Sequence, residues 1–193
     1  TETLRRVRRH SEELNGHRDP VWAFNSKLDG MNLATGLGLA VPLRLVPPTP
    51  VVELTPPPTH CVVKPVNGAG SHGVAPLVPD EDDRWRDLYE LAKGPRSWEE
   101  IRTDLAALAD SGRVSQDFLV EELLPGPDET SLPYDWKLFC VGGEVAAIFG
   151  RDTRNQRFAS GARFRYFSPR WEDLGPVGDP KKIDPTIPLP HHP

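Results

Sequence analysis

Proline is the residue that most restricts where this chain can form helices and strands, because 22 of its 193 residues are proline. Proline lacks a backbone N–H and has a fixed φ, so helix interiors and central strands exclude it. The proline-dense run from Pro42 to Pro58 therefore predicts a connector and not a central strand. Pro65 ends the β-rich run from His60 to Lys64, which predicts a strand.

Charge and apolar content limit the partners of the chain. The net charge of −5 and the pI of about 5.7 give no general attraction to nucleic acid or to an anionic membrane, so a phosphate site has to be built locally. No apolar stretch is long enough to span a bilayer, and no secretory segment is evident. Cys61 and Cys140 lie in apolar runs, which predicts buried, reduced thiols and a cytoplasmic protein.

Three segments show helical signals. Glu2 to Leu14 is charged with a helical spacing of apolar residues, and it is either a solvated helix or a docking patch. Ser26 to Leu37 predicts a helix that Ser26 begins and Gly36 or Gly38 ends. Ser97 and Glu100 form a capping-box pattern that predicts a third helix, ended by Gly112.

Strands are predicted around two glycine-containing turns. Val74 to Val78 follows the loop from Asn67 to Gly73 and predicts a hairpin with the preceding strand. Phe118 to Val120 predicts another strand. Trp136 to Val141 and Val145 to Phe149 flank Gly142-Gly143 and predict a second hairpin, with a further strand at Arg163 to Phe167. The Pro-rich tail after Trp171 has too few apolar residues to pack by itself.

The loop Gly68-Ala-Gly70-Ser-His-Gly73 matches the pattern G-x-G-x-x-G, which several phosphate-binding folds use. A Rossmann loop needs a helix directly after it, and Pro76 opposes one. The Walker A and protein-kinase motifs are also missing from the sequence. The lysine here, Lys64, lies on the strand before the loop. An ordinary glycine-rich hairpin with a surface lysine is the alternative interpretation.

A strand lysine followed by a glycine-rich hairpin resembles the ATP-grasp superfamily, in which such a loop closes over the phosphates of ATP. The resemblance implies that Lys64 contacts the phosphates together with the loop residues Gly68, Gly70, Ser71, His72 and Gly73. Glycines allow backbone N–H groups to approach phosphate oxygens closely, and a lysine supplies a compact positive charge.

Two further segments match this family in the expected order. Lys27, at the start of a helix, is implied to reach the phosphates, and its alternative is a solvated helix-end lysine. The segment Glu121-Glu122-Leu123-Leu124 resembles the interlobe hinge, whose backbone binds adenine and whose carboxylate can hold the ribose. The sequence leaves open which glutamate faces the ligand, and two solvated glutamates are the alternative.

The strand Asp135-Trp136-Lys137 resembles the Asp-Tyr-Lys strand of the TupA-like branch, which is associated with cell-surface polymer biosynthesis. Trp136 stands where that branch usually has tyrosine. The resemblance implies catalytic roles for Lys137 and Arg151, while a salt-bridged Asp135–Lys137 pair is the alternative. Local arginines could bind a carboxylate or phosphate, or could form a solvated sheet face; they are Arg151, Arg154, Arg157, Arg163 and Arg165.

Magnesium ligands are not found in the expected place. ATP-grasp enzymes supply carboxylates for Mg²⁺ from late strands, and the chain ends at Pro193 before such strands. The late carboxylates are expected to be solvated; they are Asp152, Glu172, Asp173, Asp179 and Asp184. A fragment of a longer enzyme is the preferred expectation, and a degenerate ATP-grasp protein is the second.

These observations predict an α+β, ATP-grasp fold. Residues 1–50 would form a helical lead-in and connector, residues 51–124 the small lobe, and residues 125–193 the start of the large lobe. The implied function is ATP- and Mg²⁺-dependent ligation of a carboxylate substrate to an amine or similar nucleophile through an acyl phosphate, without nucleic-acid or membrane partners. A non-catalytic nucleotide-binding or docking relic is the alternative class, and a kinase-like phosphotransferase is a third.

Overall fold

The chain has an α+β architecture of two antiparallel sheets and two helices, in a computed structural model that describes residues 13, 26–68, 70–126, 132–152, 163–177 and 180–188. This confirms the α+β part of the predicted fold class. Apart from Glu13, the predicted N-terminal helix from Glu2 to Leu14 lies outside the described residues. No helix in the described ranges is both long enough and apolar enough to cross a membrane.

The helices and strands follow each other in an order that separates the two sheets along the chain. The first sheet and both helices come before residue 123 and the second sheet comes after residue 134. The elements are α1 Lys27–Gly36, β1 Arg44–Pro50, β2 Cys61–Pro65, β3 Ala75–Pro79, β4 Arg84–Asp87, β5 Arg96–Ser97, α2 Trp98–Asp110, β6 Asp117–Glu122, β7 Asp135–Val141, β8 Glu144–Asp152 and β9 Arg163–Phe167.

The first sheet has the strand order β1-β6-β2-β3-β4-β5, and α2 packs on one of its faces. Side chains alternate between the two faces of a strand, so residues two apart share a face. The strand side chains on the α2 face form one apolar core with the inner face of α2. The core residues include Cys61, Val63, Ala75, Leu77, Ile101, Leu105, Phe118 and Val120. The opposite face of β2, β3 and β6 is not covered by α2.

The predicted capping box begins α2. The Ser97 hydroxyl accepts from the Glu100 N–H, and a Glu100 carboxylate oxygen accepts from the Ser97 N–H at 2.8 Å. The Ser97 N–H is the main cause that holds the pKa of Glu100 below its usual value, followed by the Ser97 hydroxyl, which donates to the same carboxylate at 2.9 Å, and by the neighbouring arginines. The box fixes the start of the helix that covers the core.

We expect Ser97→Ala to lower the free energy of unfolding by about 1 kcal/mol, because the Glu100 N–H at the helix start loses its side-chain acceptor. Urea unfolding measures the change. Thr103→Ala, at an exposed position in the middle of the same helix, is the control and is expected to leave stability unchanged or slightly higher. Equal midpoints for Ser97→Ala and wild type would contradict the role of the cap.

The proline-dense segment contains a strand, which corrects the prediction of a plain connector. β1, from Arg44 to Pro50, pairs with β6 at the edge of the first sheet, with irregular register. An edge strand needs only one of its two sides for hydrogen bonds, so prolines are tolerated there although a central strand would exclude them. The prediction that this segment cannot form a central strand is consistent with that position.

The second sheet has the order β7-β8-β9 and includes the second predicted hairpin. Trp136 on β7 lies over Gly150 of β8, and its ring contacts Phe167 and Trp171 at centroid distances of 5.8 and 5.5 Å. Ile187, in the tail, is buried beside Gly150. The described part of the tail therefore packs on this sheet through Ile187, which the prediction that the tail has too few apolar residues to pack by itself did not anticipate.

The two cysteines differ in exposure. Cys61 is fully buried on β2, as predicted, and burial raises the pKa of its thiol to about 12. Cys140 is exposed on β7, so the prediction of a buried thiol is wrong there. Strand β7 has the sheet on one side only, and this edge position leaves its apolar run exposed. Both thiols are free.

Candidate functional site

A cavity of about 310 Å³ lies between the open face of the first sheet and the start of the second. The first sheet supplies side chains of β2, β3 and β6 that point away from α2, and the second supplies the start of β7 and the end of β8. The lining is mainly apolar and aromatic, with four charged side chains: Glu121, Glu122, Asp135 and Arg151. The principal lining residues are Val62, Val74, Pro76, Tyr89, Glu121, Leu123, Leu124, Leu132, Tyr134, Asp135, Trp136 and Arg151.

Two lysines and one glutamate lie together beside the cavity, and we name them the lysine cluster: Lys27, Lys64 and Glu121. Of these three, only Glu121 lines the cavity. Lys64 on β2 forms an ion pair with Glu121 Oε1 on β6, and their side chains are 17% and 8% exposed. The pairing is diagonal, since Val62 is the residue directly opposite Glu121. Alternation along both strands thus brings these two predicted site residues together on the face away from α2.

Lys27 joins this cluster from the start of α1. Its N–H donates to the Val66 carbonyl at 3.2 Å, and its Nζ donates to the Gly68 carbonyl at 3.3 Å. Burial, followed by the charge of Lys64, lowers the pKa of Lys27, while Glu121 opposes the shift. The neighbourhood therefore contains more positive charge than its one carboxylate balances. An added anion would stabilise both ammonium groups.

The two hinge glutamates have different environments. Glu121 Oε2 is buried and has no hydrogen-bond partner among the described residues. Leaving a buried charged acceptor without a partner costs about 1–3 kcal/mol or more. Glu122 Oε1 instead accepts from the Leu43 N–H at 2.8 Å, and its own N–H donates to the Leu43 carbonyl. Glu121 is thus the glutamate with an acceptor to offer a ligand, and Glu122 fixes the chain before β1.

A second group of charges lies at the other wall, and we name it the aspartate cluster: Asp135, Lys137 and Arg151. Asp135 Oδ2 is 2.8 Å from Arg151 Nη2, and Asp135 Oδ1 is 3.0 Å from Lys137 Nζ. Arg151 Nε is buried without a hydrogen-bond partner in the described part of the chain. Lys137 is half-exposed and does not line the cavity, whereas Arg151 does.

The glycine-rich loop lies beside the cavity without lining it. Gly70, Ser71 and Gly73 have positive φ, and Gly73 is buried close to Pro65 and Phe118. The loop base is held by the Asn67 N–H, which donates to the Ser115 hydroxyl at 3.0 Å. Val74, one residue after the loop, lines the cavity. Of the predicted loop residues, Gly68 contacts the lysine cluster through its carbonyl, while Gly70, Ser71, His72 and Gly73 do not line the cavity.

The described arginines of the predicted group lie in two different places. Arg165 donates to Asp173 and to the Ile187 carbonyl, and Arg163 donates to the Lys181 carbonyl. Those two arginines hold the tail against the second sheet, which leaves Arg151 as the cavity member. Arg154 and Arg157 lie outside the described residues.

Several cavity residues were not among the predicted site residues. Tyr89 follows β4, and Leu132 and Pro133 precede β7. No local pattern in the sequence marks them, because they meet the hinge only through the tertiary fold.

Comparisons with protein-family models, with curated proteins and with solved structures found no match.

Proposed function

We propose that this chain binds ATP in the cavity between the two sheets, as a member of the ATP-grasp class closest to its TupA-like branch. One observation carries the proposal: Lys64 pairs with Glu121, a buried carboxylate that lines the cavity and whose second oxygen lacks a partner among the described residues, and Lys27 lies nearby on the Gly68 carbonyl. One carboxylate does not neutralise two lysines, and the remaining positive charge beside the cavity favours an anionic ligand. An unpaired acceptor also favours a ligand with an N–H or O–H donor.

The charge around the cavity supports an anionic ligand at its edge. Glu121, Glu122, Asp135 and Arg151 line the cavity, and Lys27, Lys64 and Lys137 lie beside it. These residues together are four cations and three carboxylates, whereas the chain as a whole carries −5. A positive balance beside one cavity of an acidic protein raises the local concentration of anions there. Triphosphate is the part of ATP that this property favours.

The rest of the lining supports a planar heterocycle. Leu123 and Leu124 follow directly after β6, and Tyr89 and Trp136 add aromatic surface. A largely apolar lining with a few placed polar groups is typical of small-molecule sites. The ribose carries hydroxyl groups that would donate to Glu121 Oε2, the role that the resemblance implies for the hinge carboxylate. The proposed orientation puts the base at Leu123 and Leu124, the ribose at Glu121 and the phosphates toward Lys27 and Lys64.

The described residues do not fit Mg²⁺. Among them, no three His, Cys, Asp or Glu side chains lie close enough together to hold a metal ion. Asp173 and Asp184, two of the late carboxylates, instead accept hydrogen bonds from Gly175 and Thr186 in the tail. We therefore derive no step through a metal. The proposal for the described residues is ATP binding, and ligation would require metal ligands from outside them.

For the intact protein we propose ATP-dependent ligation, with a role in cell-surface polymer biosynthesis that follows from the resemblance alone. The terminal phosphoryl group of ATP would move to a substrate carboxylate, giving an acyl phosphate and ADP. An amine or similar nucleophile would attack the acyl carbon and release phosphate. Lys27 and Lys64 would neutralise phosphate charge and hold it in position, which are the main protein contributions to such chemistry.

The second candidate is a non-catalytic nucleotide-binding or partner-docking protein of the same class. The missing carboxylate cluster in the described ranges is the observation that favours it. Both candidates require the same cavity, so they differ in turnover and not in binding.

Calorimetric titration of the full chain with ATP, with and without Mg²⁺, tests the proposal. We expect Lys64→Met to weaken binding by roughly 10- to 100-fold, the range expected when a hydrogen bond to a charged group is lost. We expect little response to Mg²⁺. Lys93→Met, at an exposed lysine paired with Glu90, is the matched control and is expected to bind as wild type does.

Failure of the wild-type chain to bind ATP would overturn the nucleotide proposal. Equal affinities of Lys64→Met and wild type would place any binding elsewhere. For the intact protein, product analysis separates the classes: phosphate on a hydroxyl would indicate a kinase-like phosphotransferase, while an amide with released phosphate would indicate a ligase.

A further inference from the structure

Arg151 has an unusual position for a buried arginine. It lies directly across from Asp135 in the β7–β8 register, and its Nη2 is 2.8 Å from Asp135 Oδ2. Its Nε is buried and has no hydrogen-bond partner among the described residues, although the side chain lines the cavity. The fold therefore leaves the Nε–H of a cavity-lining arginine unsatisfied.

Asp135 binds a second cation on the same strand. Lys137 lies two residues further along β7, on the same face, and its Nζ is 3.0 Å from Asp135 Oδ1. Both oxygens of one carboxylate are therefore engaged by cations. Only Asp135 and Arg151 of these three line the cavity, and Lys137 remains half-exposed outside it.

We propose that Asp135 is a positioning residue for the proposed nucleotide site. It holds Nη2 of Arg151, so that Nε–H is left for an oxygen of the ligand, and it retains Lys137 outside the cavity. The inference rests on the proposed function only for the identity of the ligand, because the ordering of Arg151 is a property of the free protein.

The first arm of the test needs no ligand. In the ¹⁵N-labelled full chain, the Arg151 Nε–H signal is assigned by its loss in Arg151→Lys, and its relaxation is measured. We expect an ordered Nε–H in wild type and a mobile one in Asp135→Asn. Asp173→Asn is the matched control, because it breaks another Asp–Arg pair of the same sheet outside the cavity. An unchanged Arg151 signal in Asp135→Asn would overturn the inference.

The second arm titrates ATP into the same proteins. We expect Asp135→Asn to bind ATP roughly tenfold more weakly, as for a partly lost charge-assisted hydrogen bond, and to lose the ATP-induced shift of the Arg151 Nε–H. We expect Asp173→Asn to match wild type. Wild-type affinity and an unchanged shift in Asp135→Asn would overturn the inference. Absence of ATP binding by wild type, together with loosening of Arg151 in Asp135→Asn, would overturn the nucleotide proposal and leave the positioning role standing.

Discussion

Glu121→Leu is expected to lower the free energy of unfolding by about 3 kcal/mol, because it removes the counter-ion of a largely buried lysine. Lys64 is only 17% exposed, and Glu121 also offsets the burial that lowers the pKa of Lys27. Without the carboxylate, two ammonium groups would share a poorly solvated site. The loss of the pair, and not of apolar packing, is the cause, since leucine restores an apolar side chain of similar volume.

The double variant Lys64→Met with Glu121→Leu separates these causes. Replacing both members of a buried pair with apolar residues of similar volume is often neutral or stabilising. We therefore expect the double variant to recover most of the lost stability in urea unfolding at neutral pH. A double-mutant cycle gives the coupling directly. A double variant as unstable as Glu121→Leu, or a single variant as stable as wild type, would contradict the account.

Gly150→Val is expected to cost about 3 kcal/mol of stability, because the second sheet has no room for a side chain there. A Cβ at residue 150 would lie 2.6 Å from the Trp136 ring and 3.1 Å from Ile187. The ring is packed against Phe167 and Trp171, so it cannot move away without disturbing the core of this sheet. The same clash would loosen the tail that Ile187 holds in place.

Thermal and urea unfolding, with near-UV circular dichroism of the tryptophans, measure this effect. Gly30→Val is the matched control, because no atom lies within 4 Å of a Cβ at residue 30 in α1. Combining Gly150→Val with Trp136→Leu is expected to recover part of the loss, since the smaller side chain removes the clashing ring. If Gly150→Val unfolds at the wild-type midpoint, the packing described here is wrong.

The elements that the sequence predicted are those whose signals are local. The capping box at Ser97 predicts the start of α2, and alternation around two glycine-containing turns predicts the β2–β3 and β7–β8 hairpins. β1 was missed because its prolines are acceptable only at a sheet edge, which is a property of the whole sheet. The packing of Ile187 was missed for a similar reason, because a single apolar residue in a polar tail shows no periodicity.

The sequence predicted which residues belong to the site, but it did not predict which of them contact each other. Lys27, Lys64 and Glu121 were all named from the sequence, but their convergence depends on the register between β2 and β6, which are more than fifty residues apart. The same register decides that Glu121, and not Glu122, pairs with Lys64. Lys137 shows the limit of transferring a role by motif, because here it is held by Asp135 outside the cavity.

The unequal exposure of the two cysteines gives this chain a single practical attachment point. Thiol-reactive reagents attack the thiolate, and a buried Cys61 with a pKa of about 12 stays protonated at neutral pH. A maleimide dye or spin label would therefore attach at Cys140 on the unmodified protein. That position is on the same strand as Asp135 and Trp136. A reporter there would follow movement of the second sheet relative to the first without any engineered residue.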